Sequence, residues 1–219
     1  LFRSLIKHVF AKMEKQDKDI KCFYLDIYPA KNLDQMVGML GSEIIGKLDS
    51  VSQAAMRRVQ EFFSKWRPTL TIDEVTGRPT FSLDIRPSEG RETLKQIFEY
   101  LGQSGRRCYI AIDEFQQILD FPESGVEALI RSYIQFWPDV YFVFSGSQQH
   151  MMEEMFLSAN RPFFQSSSMM TLSCIDKEKY LDFANNFFKG QSRAMDEDTF
   201  EYIYDVSDKV TWYVQAILH

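Results

Sequence analysis

Apolar positions along this chain follow two different rhythms. Three short runs are continuously apolar: Cys22-Phe23-Tyr24-Leu25, Cys108-Tyr109-Ile110-Ala111-Ile112 and Val140-Tyr141-Phe142-Val143-Phe144. They are rich in aromatic and β-branched residues and too short for helices. Continuous apolarity predicts strands covered on both faces, as in a parallel sheet. Met169-Met170-Thr171-Leu172-Ser173 is a weaker fourth strand candidate. Between the runs, apolar residues recur at helical spacing. Leu5, Ile6, Val9, Phe10 and Met13 predict an amphipathic helix feeding the first strand. A membrane-surface helix would carry the same stripe, but a strand that follows directly calls for core packing. Met36, Met39, Leu40 and Ile44 predict a helix after Pro29, and Val51 to Trp66 another, stopped by Pro68. Val126, Leu129, Ile130, Tyr133, Ile134 and Trp137 mark one face of a helix ending at Pro138. Two or three helices close the chain, around Lys177 to Lys189, Asp196 to Val206 and Thr211 to Leu218, with acids near their starts.

One stretch alternates instead. Leu70 and Ile72 fall on one strand, Phe81, Leu83 and Ile85 on another, with turn chemistry in Glu74-Val75-Thr76-Gly77-Arg78-Pro79. This predicts a β-hairpin, about 69–85, inserted between helices. The remaining alternation of strand and helix predicts an α/β fold, a doubly wound parallel sheet with right-handed crossovers. Ligands in such sheets bind beyond the carboxyl ends of the strands, so the chemistry is sought there.

Composition narrows the function classes. With 219 residues, 45% hydrophobic and 26% charged, the chain is long enough for a full core and reads as globular. Acidic residues outnumber basic ones, 31 to 25, for a net charge of -6, which argues against gripping nucleic acid by bulk charge. No apolar run approaches the roughly 20 residues that span a bilayer. Cys22, Cys108 and Cys174 are far apart and His8, His150 and His219 are scattered, so no zinc site is expected. Buried free thiols in a reducing cytoplasm are expected instead. The opening, Leu1 to Lys7, lacks the features of a secretory signal and reads as the interior of a longer chain.

The strand run Cys108 to Ile112 ends in adjacent carboxylates, Asp113 and Glu114. Two acids there are electrostatically costly unless a cation or a reaction uses them. In a nucleotide hydrolase the first holds the magnesium shell through water, and the second polarises the attacking water. The alternative is an acidic cap on the next helix. The following strand ends in Ser145-Gly146-Ser147. A small hydroxyl there can bind a terminal phosphate or position water; equally, Ser147 can cap a helix starting near Gln148. Arg161, in the loop Asn160-Arg161-Pro162-Phe163-Phe164, can reach a phosphate, in its own subunit or a neighbour's, or form a surface ion pair.

In this order the motifs resemble the prokaryotic AAA-related ATPases of the archaeal ATPase group, allied to the STAND class. They are Tyr24-Leu25-Asp26, Tyr109 to Phe115, Phe142 to Ser147, Asn160 to Gln165 and Thr211-Trp212-Tyr213-Val214-Gln215, covering nearly the whole chain. The resemblance implies a P-loop NTPase fold, with 1–173 as a nucleotide-hydrolase core and 174–219 as the start of a helical lid. It implies ATP and magnesium as ligands, with Asp113 on the metal through water and Ser145 near the nucleotide. Glu114, Ser147 and Arg161 would be catalytic. The departures are specific. The family's G-x-x-x-x-G-K-[ST] loop does not occur before the first helix, and Gly41, Gly46 and Lys47 lie too far downstream, inside a helical pattern. In the family layout the chain would begin a few residues after that loop's lysine and lack the strand before it, central to the family's sheet. Ser166-Ser167-Ser168 stands where many relatives carry an arginine, and Lys209-Val210-Thr211 replaces their second sensor. A winged helix, the family's route to nucleic acid, would follow Gln215 and is not in the chain. Two functions stay in play: an ATPase core whose hydrolysis drives a conformational switch, with a homo-oligomer or protein partner, and a non-catalytic interaction scaffold on the same fold.

Overall fold

The computed structural model describes residues 2–48, 67–72, 79–189 and 194–218. The chain divides into two compact units, Leu1–Ser167 and Ser168–His219.

In the first unit, α1 (Phe2–Gln16) leads into β1 (Ile20–Asp26) and α2 (Leu33–Leu48) follows. Strands β2 (Arg67–Ile72) and β3 (Pro79–Asp84) come next, then α3 (Gly90–Gln103) and β4 (Arg107–Asp113). A 3-10 turn (Phe115–Asp120), α4 (Val126–Phe136), β5 (Val140–Phe144) and α5 (Gln149–Leu157) complete it. The sheet is parallel, in the order β1-β4-β5, and its three strands pair contiguously.

The continuously apolar runs become these strands for the predicted reason. Cys108, Ile110 and Ala111 of the middle strand β4 are fully buried. On one face, Phe23 and Ile110 pack with Val37, Leu40 and Ile44 of α2 and Leu94, Ile97 and Phe98 of α3. On the other, Ile6 and Phe10 of α1 pack on Cys22, Tyr24 and Ala111. Both faces are thus covered by helices, as the lack of alternation requires. The doubly wound α/β fold read from the sequence is the one found.

The two edge strands differ. The outer side of β1 is met by side chains: the Cys22 N–H donates to Glu14 Oε1 at 2.9 Å, and Lys47 Nζ donates to the Cys22 carbonyl at 2.7 Å. No such bond meets the outer side of β5 among the described residues. There Tyr141 is 44% exposed, stacked on Tyr109 at 4.8 Å between ring centroids.

Strands β2 and β3 pair antiparallel, with Leu70 opposite Phe81 and Pro68 opposite Leu83, as the alternation predicts. The helix expected over Val51 to Trp66 and turn residues 74–78 lie outside the described residues. Helix α3 was not anticipated, although Leu94, Ile97, Phe98 and Leu101 carry its helical spacing.

The second unit holds α6 (Lys177–Lys189), α7 (Glu197–Val206) and α8 (Thr211–Leu218), close to their predicted bounds. Tyr180, Ala184, Phe200, Tyr204 and Val214 form its core. Asp196 caps α7, accepting from the Thr199 N–H at 2.8 Å. The strand expected at Met169 to Ser173 is not formed. That stretch has neither helix nor strand, and Met170 is 82% exposed. A strand needs a neighbouring backbone to complete its ladder, and none of the described strands pairs with it. Cys174 follows in the same irregular stretch and is exposed, so only Cys22 and Cys108 meet the expectation of buried thiols. Burial pushes the Cys22 thiol up to about 11, with the Glu14 carboxylate adding to the shift.

Candidate functional site

Parallel register brings the ends of the three strands to one level. Asp113 stands opposite Asp26, and the Ile27 N–H donates to the Asp113 carbonyl at 3.1 Å. On the other side, the Ser145 N–H donates to the Ile112 carbonyl at 3.0 Å, and the Phe115 N–H to the Ser145 carbonyl at 2.9 Å. The backbones of three strands therefore fix Asp113 and Ser145 before any side chain is considered.

The side chains complete a cluster. Asp113 Oδ1 accepts from Ser145 Oγ at 2.6 Å and from the Glu114 N–H at 3.2 Å. Its Oδ2 accepts from the Tyr24 hydroxyl of β1. Burial, and then this bond to a carboxylate, hold the Tyr24 phenol well above its ordinary pKa. Lys7 Nζ lies 4.8 Å and Arg3 Cζ 5.6 Å from the centroid of its ring, and Arg3 also pairs with Asp26 at 3.6 Å. Cations therefore touch the flank of the cluster without touching its two acids.

Glu114 adopts a left-handed backbone, φ 56° and ψ 41°. For a residue with a side chain this costs about 1–2 kcal/mol. The turn carries its carboxylate toward the end of β5, where Oε2 accepts from Ser147 Oγ at 2.8 Å and Gln116 Nε2 at 2.6 Å. The capping alternatives do not match these bonds. Glu114 makes no side-chain cap bond to the turn that follows, and the cap of α5 is Gln148, likewise without one. Gly146 packs closely here: a Cβ would stand 2.2 Å from Gln116 Oε1 and 2.8 Å from Met152 Sδ, so both side chains would have to shift.

Arg161 lies apart from these bonds. Its Nη1 pairs with Glu127 Oε2 of α4 at 2.9 Å, and its Nε donates to Glu154 Oε1 of α5 at 3.2 Å. Glu154, with Glu127, raises its pKa above the ordinary arginine value. The structure thus brings together Asp113, Glu114, Ser145 and Ser147, while Arg161 joins two helices. Tyr24, Gln116 and Gly146 belong to the cluster and were not singled out from the sequence. For Gln116 a signal existed: two polar residues, Gln116 and Gln117, stand between apolar Phe115 and Ile118-Leu119.

Among the described residues no group of three or more His, Cys, Asp or Glu side chains is placed to hold a metal. Magnesium keeps most of its waters and takes one or two carboxylates alongside substrate phosphates. Asp113 and the Ser145 hydroxyl supply hard oxygens of that kind. No described helix is long and apolar enough to cross a membrane.

No protein-family model matches the chain, and no curated protein matches it in sequence. Solved structures do. A Walker-type ATPase of Pyrococcus abyssi superposes with a TM-score of 0.52 at 18% identity, covering 88% of this chain and 53% of that one. The ORC2 protein of Aeropyrum pernix, solved in ADPNP–ADP complexes, gives 0.39 at 16% identity over 70% of this chain and 32% of its own. The chain therefore spans about half the length of the ATPase it matches, 53%. It shares the α/β fold of that Walker-type ATPase, with its acid pair at the end of the sheet's middle strand.

Proposed function

We propose that this chain is the core of an ATPase of the archaeal ATPase group, allied to the STAND class, in which hydrolysis drives a conformational switch. One observation carries the reading: both acids at the strand ends are held by neutral donors alone. Asp113 receives a phenol, a hydroxyl and an amide; Glu114 receives a hydroxyl and a carboxamide. Among the described residues no lysine or arginine pairs with either. Neutral donors orient a carboxylate and leave its charge in place for a cation or a proton.

Roles follow from position. Asp113, steadied by Ser145, would hold magnesium through water. The metal's contribution when bound with ATP is to neutralise phosphate charge. Glu114 would accept a proton from the attacking water at Oε1, since Oε2 already takes two hydrogen bonds. Ser147 would hold Glu114 in that pose. Arg161 would reach a phosphate only after leaving Glu127 and Glu154. The 219 residues contain no G-x-x-x-x-G-K-[ST], the loop that cradles phosphates in such ATPases. The alternative is a non-catalytic interaction scaffold built on the same fold.

The test uses the full-length protein. Glu114→Gln keeps size and a polar tip but loses the charge. ATP should still bind while phosphate release falls by about 10²–10⁴-fold, as for loss of a general base. Unchanged release hands the case to the scaffold.

A further inference from the structure

Gln116 is the buried amide of the strand-end cluster, with 4% of its surface exposed. Its Nε2 donates to Glu114 Oε2 at 2.6 Å, while its own Oε1 is buried without a hydrogen-bond partner. Leaving a buried acceptor unpaired costs stability, so packing alone would favour an apolar residue of similar volume. The neighbourhood is nonetheless shaped around the amide. At position 146 a Cβ would stand 2.2 Å from Gln116 Oε1, so a side chain there would push the amide aside. Ser147 Oγ reaches the same Glu114 oxygen at 2.8 Å.

We propose that Gln116 is a positioning residue for Glu114, with Gly146 as its seat. Glutamate has three rotatable side-chain bonds, and a free carboxylate at a strand end would sample many orientations. Two donors on Oε2 remove that freedom. They leave Oε1 accepting from none of the described residues. A lysine or arginine in place of Gln116 would hold the carboxylate equally well but would neutralise it. The amide holds it without placing a positive charge against it. The inference rests on the reading of Glu114 as the base.

The experiment compares kcat and KM for ATP in the full-length protein. Gln116→Leu preserves most of the volume and removes the donor. It should lower kcat by about 10–100-fold with KM for ATP unchanged, the usual scale for loss of an orienting partner. A purely structural role would lower the melting temperature without that split. Gly146→Ala keeps Gln116 in the chain but pushes its amide aside, and should reproduce the loss. Joined to Gln116→Ala, which vacates the space, Gly146→Ala should add nothing, the sign of a shared mechanism. If Gln116→Leu fails to fold, Gly146→Ala carries the test. Wild-type kcat in either folded variant, or losses that simply multiply in the double variant, overturns the proposal. Glu114→Gln separates the two levels. If it abolishes turnover while Gln116→Leu does not, only this inference fails. If Glu114→Gln turns over normally, or the full-length protein has no turnover, both fail.

Discussion

The strand-end cluster and the Arg161 loop lie in the same unit and are both organised by carboxylates, yet they use them in opposite ways. At the strand ends, Asp113 and Glu114 are met by hydroxyls and amides, with no described cation against them. Glu127 and Glu154, on α4 and α5, are met by the Arg161 guanidinium, which balances their charge. The first arrangement sits on three hydrogen-bonded strands; the second bridges two helices through long side chains. A carboxylate whose charge is already neutralised serves as a fastener. One that is only oriented remains available to something from outside.

The largest test of this contrast is Asp113→Asn. It removes charge where no protein cation compensates, so magnesium-dependent nucleotide binding should weaken by about 10–100-fold in the full-length protein, and turnover with it. A magnesium titration of nucleotide affinity checks this, and an unshifted curve would dissolve the distinction between the two regions. Residues 1–219 alone, lacking the phosphate-cradling motif, should bind ATP too weakly for calorimetry to detect in the micromolar range. Tight binding would mean that the strand ends suffice by themselves.

Arg161→Ala should matter far less. Partly exposed ion pairs contribute about 1 kcal/mol or less each, and salt screens them. Thermal melts should therefore show a small loss that shrinks further at high ionic strength, with turnover within a few-fold of wild type. A fall of about 10³-fold or more would instead place Arg161 at the phosphate, as an arginine that stabilises transition-state charge. Smallest of all, Tyr24→Phe removes one of three donors to Asp113. It should cost about 0.5–1.5 kcal/mol of stability in denaturant unfolding. A much larger loss would mean that the phenol, rather than the strand register, sets the position of Asp113.

Much of this was legible in the sequence. The three continuously apolar runs marked the sheet, and the residues that end two of them, Asp113, Glu114, Ser145 and Ser147, proved to be neighbours. What stayed hidden depends on pairing between strands. Tyr24 read as one more apolar residue of its run, and its hydroxyl meets Asp113 across 89 positions of sequence. Only the register of β1 against β4 brings them together. The close approach of Gly146 to Gln116 is likewise invisible without the fold. Helix α3 follows directly on the alternating hairpin, and its stripe of Leu94, Ile97, Phe98 and Leu101 was not assigned. Met169 to Ser173 erred the other way, since its composition suits a strand but no described strand lies alongside it.

The side chains on the outer edge of β1 have a consequence for assembly. An exposed edge offers a ladder of N–H and carbonyl groups to any passing chain and is a route to unwanted association. At Cys22 both groups are already taken, by Glu14 from α1 and Lys47 from α2. An incoming backbone would have to displace an anion and a cation in the same step. Among the described residues the sheet is therefore uneven in its capacity to grow: β1 is blocked at Cys22, and no side chain bonds to the outer backbone of β5.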